Sequence, residues 1–511
     1  MQMSEVPESV ILPDPAENLW RQGELVEITI TDLSDSGDGV GRFGQRVVFV
    51  PDTVTGDRIL ARLIRVKPQY AWGKLHQLLH PSSHRIRPHC IVADKCGGCQ
   101  WQHVSYAYQL EAKRNQVIQA LERIGGFSHP PVDPVLHLAE PLGYRNKATY
   151  PVKQAEGRSQ KAEGKKQKAE GSVLRSPLPV RRSSASPSPR PSASVQAGYY
   201  QKGSHQIVNL NQCPIQDQRL NPLLAKIKLD LQRRGWRIYD EVRHQGTVRH
   251  LGLRIGRRTG EMLLTLVVKN WDLPGIEQQA QAWLGRYPEL VGVLLNRNPD
   301  RTNTIFGSET RCIAGQPYLQ EEFAGLTYQI RPDTFFQVHT EQAEALLHVV
   351  LEHLKLQGSE VVLDAYCGIG TLTLPLAQRV QQAIGLEVEP EAVAQARLNA
   401  ELNAIANVSF QVGAVEECLS ELQVNPDIVL LDPPRKGCEP VVIETLRQMQ
   451  PQRIVYISCN PATLARDLKQ LCADGSYNLT RVQPADFFPQ TSHIESAAFL
   501  ERTIHPQNSL L

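Results

Sequence analysis

The chain of 511 residues contains no apolar run near the length needed to cross a membrane, so a membrane-spanning helix is not expected. Its first residues, Met1-Gln2-Met3-Ser4-Glu5, are polar and lack the charged-then-apolar layout of a secretory signal; a cytoplasmic protein is expected. A disulfide framework is missing as well. The ten cysteines are Cys90, Cys96, Cys99, Cys213, Cys312, Cys367, Cys418, Cys438, Cys459 and Cys472, and most are scattered. In a reducing compartment a local group of cysteines points instead to metal binding or catalysis. Charge of one sign is also lacking, with 55 Lys and Arg against 53 Asp and Glu. The net +2 hides an asymmetry: residues 151–197 carry +7 and the remainder −5. A local basic patch is enough to hold a nucleic acid, so the overall balance neither names nor excludes that partner. What is present, 41% hydrophobic and 21% charged residues, is the make-up of a globular chain with core for two to four domains.

Residues 1–17 are rich in Pro and Glu and are expected to be loose. Short alternating segments follow: Val26-Glu27-Ile28-Thr29-Ile30, Gly37 to Phe43, Arg46 to Val50 and Arg58 to Lys67, separated by Gly and Asp turns. That spacing predicts a small β-barrel. It resembles a TRAM domain, an RNA-binding barrel attached to several RNA-modifying enzymes; an oligonucleotide-binding-like barrel without a nucleic-acid partner is the alternative. Next comes Cys90-x5-Cys96-Gly97-Gly98-Cys99, whose two glycines let the backbone turn so that both thiols face one centre. Three cysteines leave a tetrahedral site one ligand short, and Cys213 is a candidate fourth. Four thiolates without histidine suit zinc or an iron–sulfur cluster, and ordinary reduced thiols remain the bland alternative.

Tyr144 to Tyr150 reads as a basic–aromatic strand that breaks at Lys153 and resumes at Gly198-Tyr199-Tyr200. Between them lie two Gln-Lys-Ala-Glu-Gly repeats and a Ser/Pro/Arg tract, a composition that cannot bury a core, so a disordered insertion into a hairpin is expected. It reads as a tolerated expansion or a basic tether for RNA. Residues 221–330 mix helical and strand signals. At Val361-Val362-Leu363-Asp364-Ala365-Tyr366-Cys367-Gly368-Ile369-Gly370 a strand, a glycine turn and a helix open a doubly wound sheet. A second strand ends at Glu387, nineteen residues past Gly368, placed to hold ribose hydroxyls. The third glycine of a nicotinamide-binding fingerprint is absent, which argues against that cofactor.

Two later strands end abruptly in polar turns. Ile428-Val429-Leu430-Leu431 runs into Asp432-Pro433-Pro434-Arg435, and Ile454-Val455-Tyr456-Ile457 into Ser458-Cys459-Asn460-Pro461. Such turns lie at the carboxyl edge of a sheet, where ligands bind. A lone cysteine on an apolar strand is usually inert core. Here the turn, Asp432 and the carboxylate of Glu495 in Asp486-Phe487-Phe488-Pro489-Gln490-Thr491-Ser492-His493-Ile494-Glu495 make it a reaction centre in outline.

With these motifs on the page, the chain resembles the RumA/TrmA family of RNA 5-methyluridine methyltransferases from about Gly23 to Glu501. The resemblance implies Cys459 as nucleophile, Glu495 as base, and Gln337, Tyr366, Glu387 and Asp432 as contacts to S-adenosylmethionine. It matches Cys90, Cys96, Cys99 and Cys213 to the [4Fe–4S] ligands of the RumA-like branch, which tilts the substrate towards a uridine of 23S ribosomal RNA. His339 and Ala414 depart from the family pattern, and the insertion at 153–197 lies outside it. The chemistry is consistent with the groups. Uracil carbon 5 is a poor nucleophile until a thiolate adds at carbon 6; a base then removes the carbon-5 proton and the thiol leaves. A thiol of unshifted pKa, roughly 8.5, is only slightly ionised at neutral pH, so the site must favour the anion; backbone donors or Arg435 are candidates. The target base must be turned out of folded RNA to reach Cys459.

Three domains are thus expected: a TRAM barrel over 18–80; an α+β middle domain over 81–330 carrying the cysteines and interrupted at about 153–197; and a class I, Rossmann-like methyltransferase domain over 331–511. The expected function is S-adenosylmethionine-dependent methylation of a 23S rRNA uridine through a covalent adduct. The same reaction on the tRNA T loop and a non-catalytic RNA-binding or remodelling role are the alternatives. No DNA or membrane partner is expected, and the protein is expected to be a monomer.

Overall fold

The structure, a computed structural model, describes residues 20–155 and 194–503. Leu25–Leu33 alternates so that Val26, Ile28, Ile30 and Leu33 point inward, as a half-buried strand requires. It closes a five-stranded barrel with Gly39–Phe43, Arg46–Val50, Arg58–Val66 and Tyr70–His80. The third and fifth strands pair in parallel and the other pairs run antiparallel. Glycine is needed at position 39, where a Cβ would lie 2.0 Å from Thr53 Oγ1.

The second layer is a seven-stranded sheet with the order Glu309–Gly315, Leu290–Arg297, Met262–Val268, Val248–Ile255, Lys147–Gln154, Val195–Tyr200, Ile207–Asn209. Met262–Val268 is buried at every position, which accounts for its unbroken apolar run. Helices Leu220–Arg234 and Ile276–Arg286 share a core with this sheet, centred on Trp236 and Trp283. Lys147–Gln154 and Val195–Tyr200 pair antiparallel through Val152 and Ala197, so the chain leaves and rejoins the sheet at one hairpin. The expected disorder of the 153–197 insertion falls on 156–193, outside the described residues.

The third layer is a doubly wound sheet. Its order is Val408–Val412, Gln382–Glu387, Val361–Ala365, Ile428–Leu431, Arg453–Ser458, Glu495–Arg502, Tyr477–Ala485. The first five strands are parallel, and Glu495–Arg502 inserts antiparallel between its neighbours. Strand order reverses between Val361–Ala365 and Ile428–Leu431, so a crevice opens beyond their carboxyl ends.

Segments from before residue 331 enter this third core. Helix Tyr106–Ala120 and the turn Leu121–Gly125 contribute Val117 and Leu121 to the apolar cluster that holds Leu464 and Leu468. Val132 and Leu136 form parallel bridges to Val482 and Ala485 on the edge strand. The hairpin Leu319–Phe323/Leu326–Ile330 shares a core with helix Thr340–Leu354.

All three layers meet on the segment 486–492. Ser492 Oγ donates to Asp35 O of the barrel at 2.7 Å, and Trp101 donates from Nε1 to Gly37 O and from its backbone N to Gln490 O. Tyr144 OH donates to Pro489 O at 3.1 Å. Gln109 and Gln490 exchange hydrogen bonds of 2.9 and 3.2 Å. Beneath them Lys113 Nζ reaches Asp486 Oδ1 at 2.6 Å, with neither side chain exposed to water, and donates also to Phe488 O. Removing one partner of such a pair strands a buried charge. Lys113→Met is therefore expected to cost about 3–5 kcal/mol in chemical denaturation, and Lys113→Met/Asp486→Leu to recover most of it. Equal losses in the single and double variants would show that the pair is not what holds the segment.

Candidate active site at the carboxyl edge of the third sheet

Strand Arg453–Ser458 is apolar and buried up to the point where the chain turns. Ser458 Oγ accepts from Asn460 N at 3.1 Å, and Asn460 Oδ1 accepts from Ala462 N at 3.0 Å, capping helix Pro461–Leu471 with proline in its first turn. Cys459 sits between strand end and cap, partly exposed, at the positive end of an eleven-residue helix. The antiparallel register pairs Ser458 with Ser496, which brings Glu495 alongside Cys459. A thiol and a carboxyl 36 positions apart in sequence become neighbours through that register alone.

The turn after Ile428–Leu431 is fastened to the same helix. Arg435 O accepts from Asn460 Nδ2 and Thr463 Oγ1 at 3.3 and 3.4 Å, Arg466 Nη2 donates to Lys436 O at 2.9 Å, and Cys438 N donates to Asp467 Oδ2 at 3.0 Å. Gly437, at φ 80°, leaves no room for a side chain, since a Cβ would lie 2.5 Å from both Arg466 and Asp467. The Asp432 turn and the Cys459 turn therefore form one unit. The Arg435 guanidinium, exposed at the rim, donates from Nη2 to His493 Nδ1 at 3.3 Å.

Electrostatics at this edge oppose ionisation of the acids and the thiol. Glu495 is buried and raised well above the usual carboxyl range by that burial and by Asp432, with Arg435 opposing. Burial pushes Asp432 up to about 7. Asp364, in the neighbouring strand, is also pushed up to about 7 by burial, against a hydrogen bond from Thr373 Oγ1, with Asp432 and Glu387 adding to the rise. Cys459 is raised to about 11, by burial first and then Glu495, and Arg435 is the charge that favours its thiolate.

Gln337, Asp432 and Glu495 line one small cavity of about 20 Å³ with Leu430, Ile457 and Phe487. Glu387 ends its strand partly exposed, accepting from Gly368 N and Glu389 N at 3.0 Å each. Tyr366 follows Ala365 at φ 73°, and its hydroxyl lies 4.0 Å from Cys438 Sγ. The structure thus gathers Cys459, Glu495, Asp432 and Gln337, and sets Glu387 and Tyr366 on the adjoining strand ends. Asp364 was not singled out from sequence; an acid inside an apolar strand just before a glycine turn was the available signal. Its Oδ1 is buried without a partner, as is Oδ2 of Asp486. His339 is buried with its ring 4.7 Å from that of Tyr144, and burial pushes its pKa down to about 4.

Cys90, Cys96, Cys99 and Cys213 line a second cavity of about 180 Å³, with no His, Asp or Glu among its lining residues. Burial and neighbouring thiols push Cys99 up to about 12, and Cys213 is raised to about 11. Gly97 permits the close turn, its amide donating to Tyr200 O at 2.9 Å where a Cβ would lie 3.0 Å from the same oxygen. Among the described residues no three His, Cys, Asp or Glu side chains form a group that could hold a metal ion. No helix among them is long and apolar enough to cross a membrane.

Asp364, Asp432 and Glu495 hold protons in the folded chain that an unfolded chain releases in the ordinary carboxyl range. Their stabilising contribution is present below that range and is lost as pH rises through the folded values. His250 and His339, each pushed down to about 4 by burial, act in the opposite sense, so a difference measurement isolates the carboxyls. Between roughly pH 5 and pH 8 the thermal midpoint of the ligand-free protein should fall relative to that of Asp364→Asn, by about a few degrees. Parallel pH profiles for the two proteins would refute the assignment.

Comparison with known proteins agrees with this geometry. The tRNA (Uracil-5-)-methyltransferase family matches residues 307–503, and the TRAM domain matches residues 19–76. An uncharacterized RNA methyltransferase of Nostoc sp. is 66% identical over 485 residues, covering 95% of this chain and 98% of that protein. Another, from Synechocystis sp., is 52% identical, covering 94% and 97%. The crystal structure of Pyrococcus abyssi tRNA (uracil-54, C5)-methyltransferase in complex with S-adenosyl-L-homocysteine is similar with a TM-score of 0.69 at 26% identity, over 93% of this chain and all of that one. A closed barrel leading to a doubly wound sheet, with a thiol and a carboxyl at its carboxyl edge, accompanies these matches: the chain belongs to the RumA/TrmA-like family of S-adenosylmethionine-dependent RNA uracil-5-methyltransferases, with a TRAM domain at its front.

Proposed function

We propose that this enzyme methylates carbon 5 of one uridine in 23S ribosomal RNA through a covalent Cys459–uracil adduct. The observation that carries the adduct is the register that sets Glu495 beside Cys459 at the sheet edge. S-adenosylmethionine, when bound, supplies an electrophilic methyl group on a positively charged sulfur. The crowded carboxyls suit a cationic ligand: Asp364 and Asp432 sit high, and Asp364 Oδ1 has no partner. Gln337, Tyr366, Glu387 and Asp432 would hold it. Glu387, its carboxylate already oriented by two backbone amides, would serve ribose hydroxyls, and Tyr366, its hydroxyl turned to Cys438, would offer its ring.

In the reaction Cys459 Sγ forms a bond to uracil carbon 6, and the ring electrons move to the enolate, where carbon 5 becomes nucleophilic. Once carbon 5 carries the methyl, ionised Glu495 takes its proton. The electron pair re-forms the carbon 5–carbon 6 double bond, and the Cys459 thiolate leaves. Both Cys459 and Glu495 favour their protonated forms in the free protein, so Arg435 and the helix N-terminus are the groups that favour the reactive state.

The TRAM barrel and the four-cysteine cavity support the 23S rRNA reading, following the RumA-like pattern. The same reaction on tRNA is the second reading, favoured by the named activity of the similar Pyrococcus enzyme. We assign the barrel to 18–80, the middle domain to 81–330 and the methyltransferase domain to 331–511, with helix Tyr106–Ala120 and the hairpin Leu319–Phe323/Leu326–Ile330 of the middle stretch packed on the third core. At the cysteine cavity we propose a [4Fe–4S] cluster, with zinc as the alternative. What supports it is the donor set: four cysteines line one cavity with no histidine or carboxylate among its lining residues, and they would hold the cluster. With their pKa values raised by burial, these thiols would have to lose their protons on binding a metal centre. No step of the proposed methyl transfer needs an electron, so the cluster's expected role is to position the RNA-binding domain.

Incubation with methyl-tritiated S-adenosylmethionine and separated RNA species should label 23S rRNA; label confined to tRNA would establish the second reading. Glu495→Gln should accumulate a denaturation-resistant protein–RNA band carrying the label. Cys459→Ala and the double variant should show neither band nor product, and near-normal turnover by Cys459→Ala would overturn the mechanism. Protein purified without oxygen should be brown, with broad absorbance near ~400 nm that fades in air. A colourless preparation with stoichiometric zinc would replace the cluster.

A further inference from the structure

Arg435 is exposed, and an exposed arginine ordinarily samples many rotamers at little cost. Yet it is the charge that favours the ionised forms of both Cys459 and Glu495, so its direction matters to the reaction. Its backbone is fixed by Asn460 and Thr463, which leaves the long side chain to be held by something else. The contact present is His493, two residues ahead of Glu495, whose Nδ1 lies 3.3 Å from Arg435 Nη2. A guanidinium has donors only, so Nδ1 must be the unprotonated acceptor nitrogen and the ring proton must sit on Nε2. The His493 ring is exposed and has one aromatic neighbour on its own segment. His493 N donates to Thr491 Oγ1 at 3.2 Å, and the ring stands edge-on to Phe488 with centroids 6.0 Å apart.

We propose that His493 is a positioning residue: as a neutral acceptor it holds the Arg435 guanidinium in one place at the sheet edge that carries Cys459 and Glu495. The charged groups around it suit that state. Arg435 from the Asp432 turn, Lys113 from helix Tyr106–Ala120 and Arg145 ahead of strand Lys147–Gln154 are all cations, and with partial desolvation they disfavour imidazolium. The same segment that carries the base thus also aims the cation that assists thiol and base. Open to water, an arginine–imidazole contact is weak; a uridine lowered over the thiol excludes that water and strengthens it. This assignment rests on the methyltransferase reading for its purpose but not for its geometry.

The test reads the Cys459 thiol itself. The full-length protein, without RNA or cofactor, is alkylated with iodoacetamide across pH, and Cys459 modification is followed by peptide mass spectrometry. Arg435→Gln should lower the Cys459 rate at neutral pH by about threefold or more, since one pKa unit is tenfold in thiolate. His493→Ala should reproduce most of that loss, and the double variant should be no slower than Arg435→Gln alone. His493→Asn, which can place an acceptor oxygen near the Nδ1 position, should restore much of the rate. The proposal is overturned if His493→Ala leaves the Cys459 profile at wild type while Arg435→Gln shifts it. It is equally overturned if the two losses multiply in the double variant. Because no methyl transfer is involved, a failure of the proposed function, such as turnover by Cys459→Ala, would be recognised separately.

Discussion

A lysine ammonium and an aspartate carboxylate, both removed from water, lie 2.6 Å apart under the segment that leads to Glu495. The burial of such a pair is costly unless its geometry and surrounding hydrogen bonds are well satisfied. Here Lys113 adds a bond to Phe488 O, although Asp486 Oδ2 has no partner, and the segment above is tied to the barrel by Asp35, to the cysteine-bearing loop by Trp101, which also binds Gly37 of the barrel, and to the approach to the middle sheet by Tyr144. The segment that leads to Glu495 is therefore placed by contacts from all three layers, which are joined elsewhere as well, for example by Asn146 Nδ2 to Gln337 O and by Lys202 to Asp52.

The same arrangement links the cysteine cavity to the 486–492 segment. Tyr144 packs with Cys213 and Cys99 on one side and donates to Pro489 O on the other; Trp101, two residues past Cys99, receives no bond from that segment but donates its amide to Gln490 O. Gln490 itself is held at φ 72°, a conformation that needs support from neighbours.

At the sheet edge, electrostatics trade stability against function. Asp364, Asp432 and Glu495 occupy sites that favour their neutral forms, and Cys459 is held as a thiol. On the proposed mechanism, a resting site of this kind would stay unreactive until a cationic ligand and the target base arrive. The Pro-Pro-Arg-Lys-Gly turn and the helix after Cys459 are clamped together by Thr463, Arg466 and Asp467, so the Asp432 turn and the Cys459 turn share one support.

Local pattern alone determined much of this protein. The alternation in Leu25–Leu33 and its successors announced the barrel, and the abrupt ends of Ile428–Leu431 and Arg453–Ser458 announced the sheet edge and its thiol. Spacing and turn residues encode such features within a few positions, so they are legible without a fold. Tertiary structure decided the rest. Helix Tyr106–Ala120 joins the third core, Lys113 meets Asp486 across 373 positions, and Glu495 comes beside Cys459 only through an antiparallel strand slipped between parallel ones. Asp364 and His493 gained their significance in the same way. A carboxyl's pKa depends on what it is buried with, and an imidazole's role on which cation reaches it, and neither is written in the residues next to it in the chain.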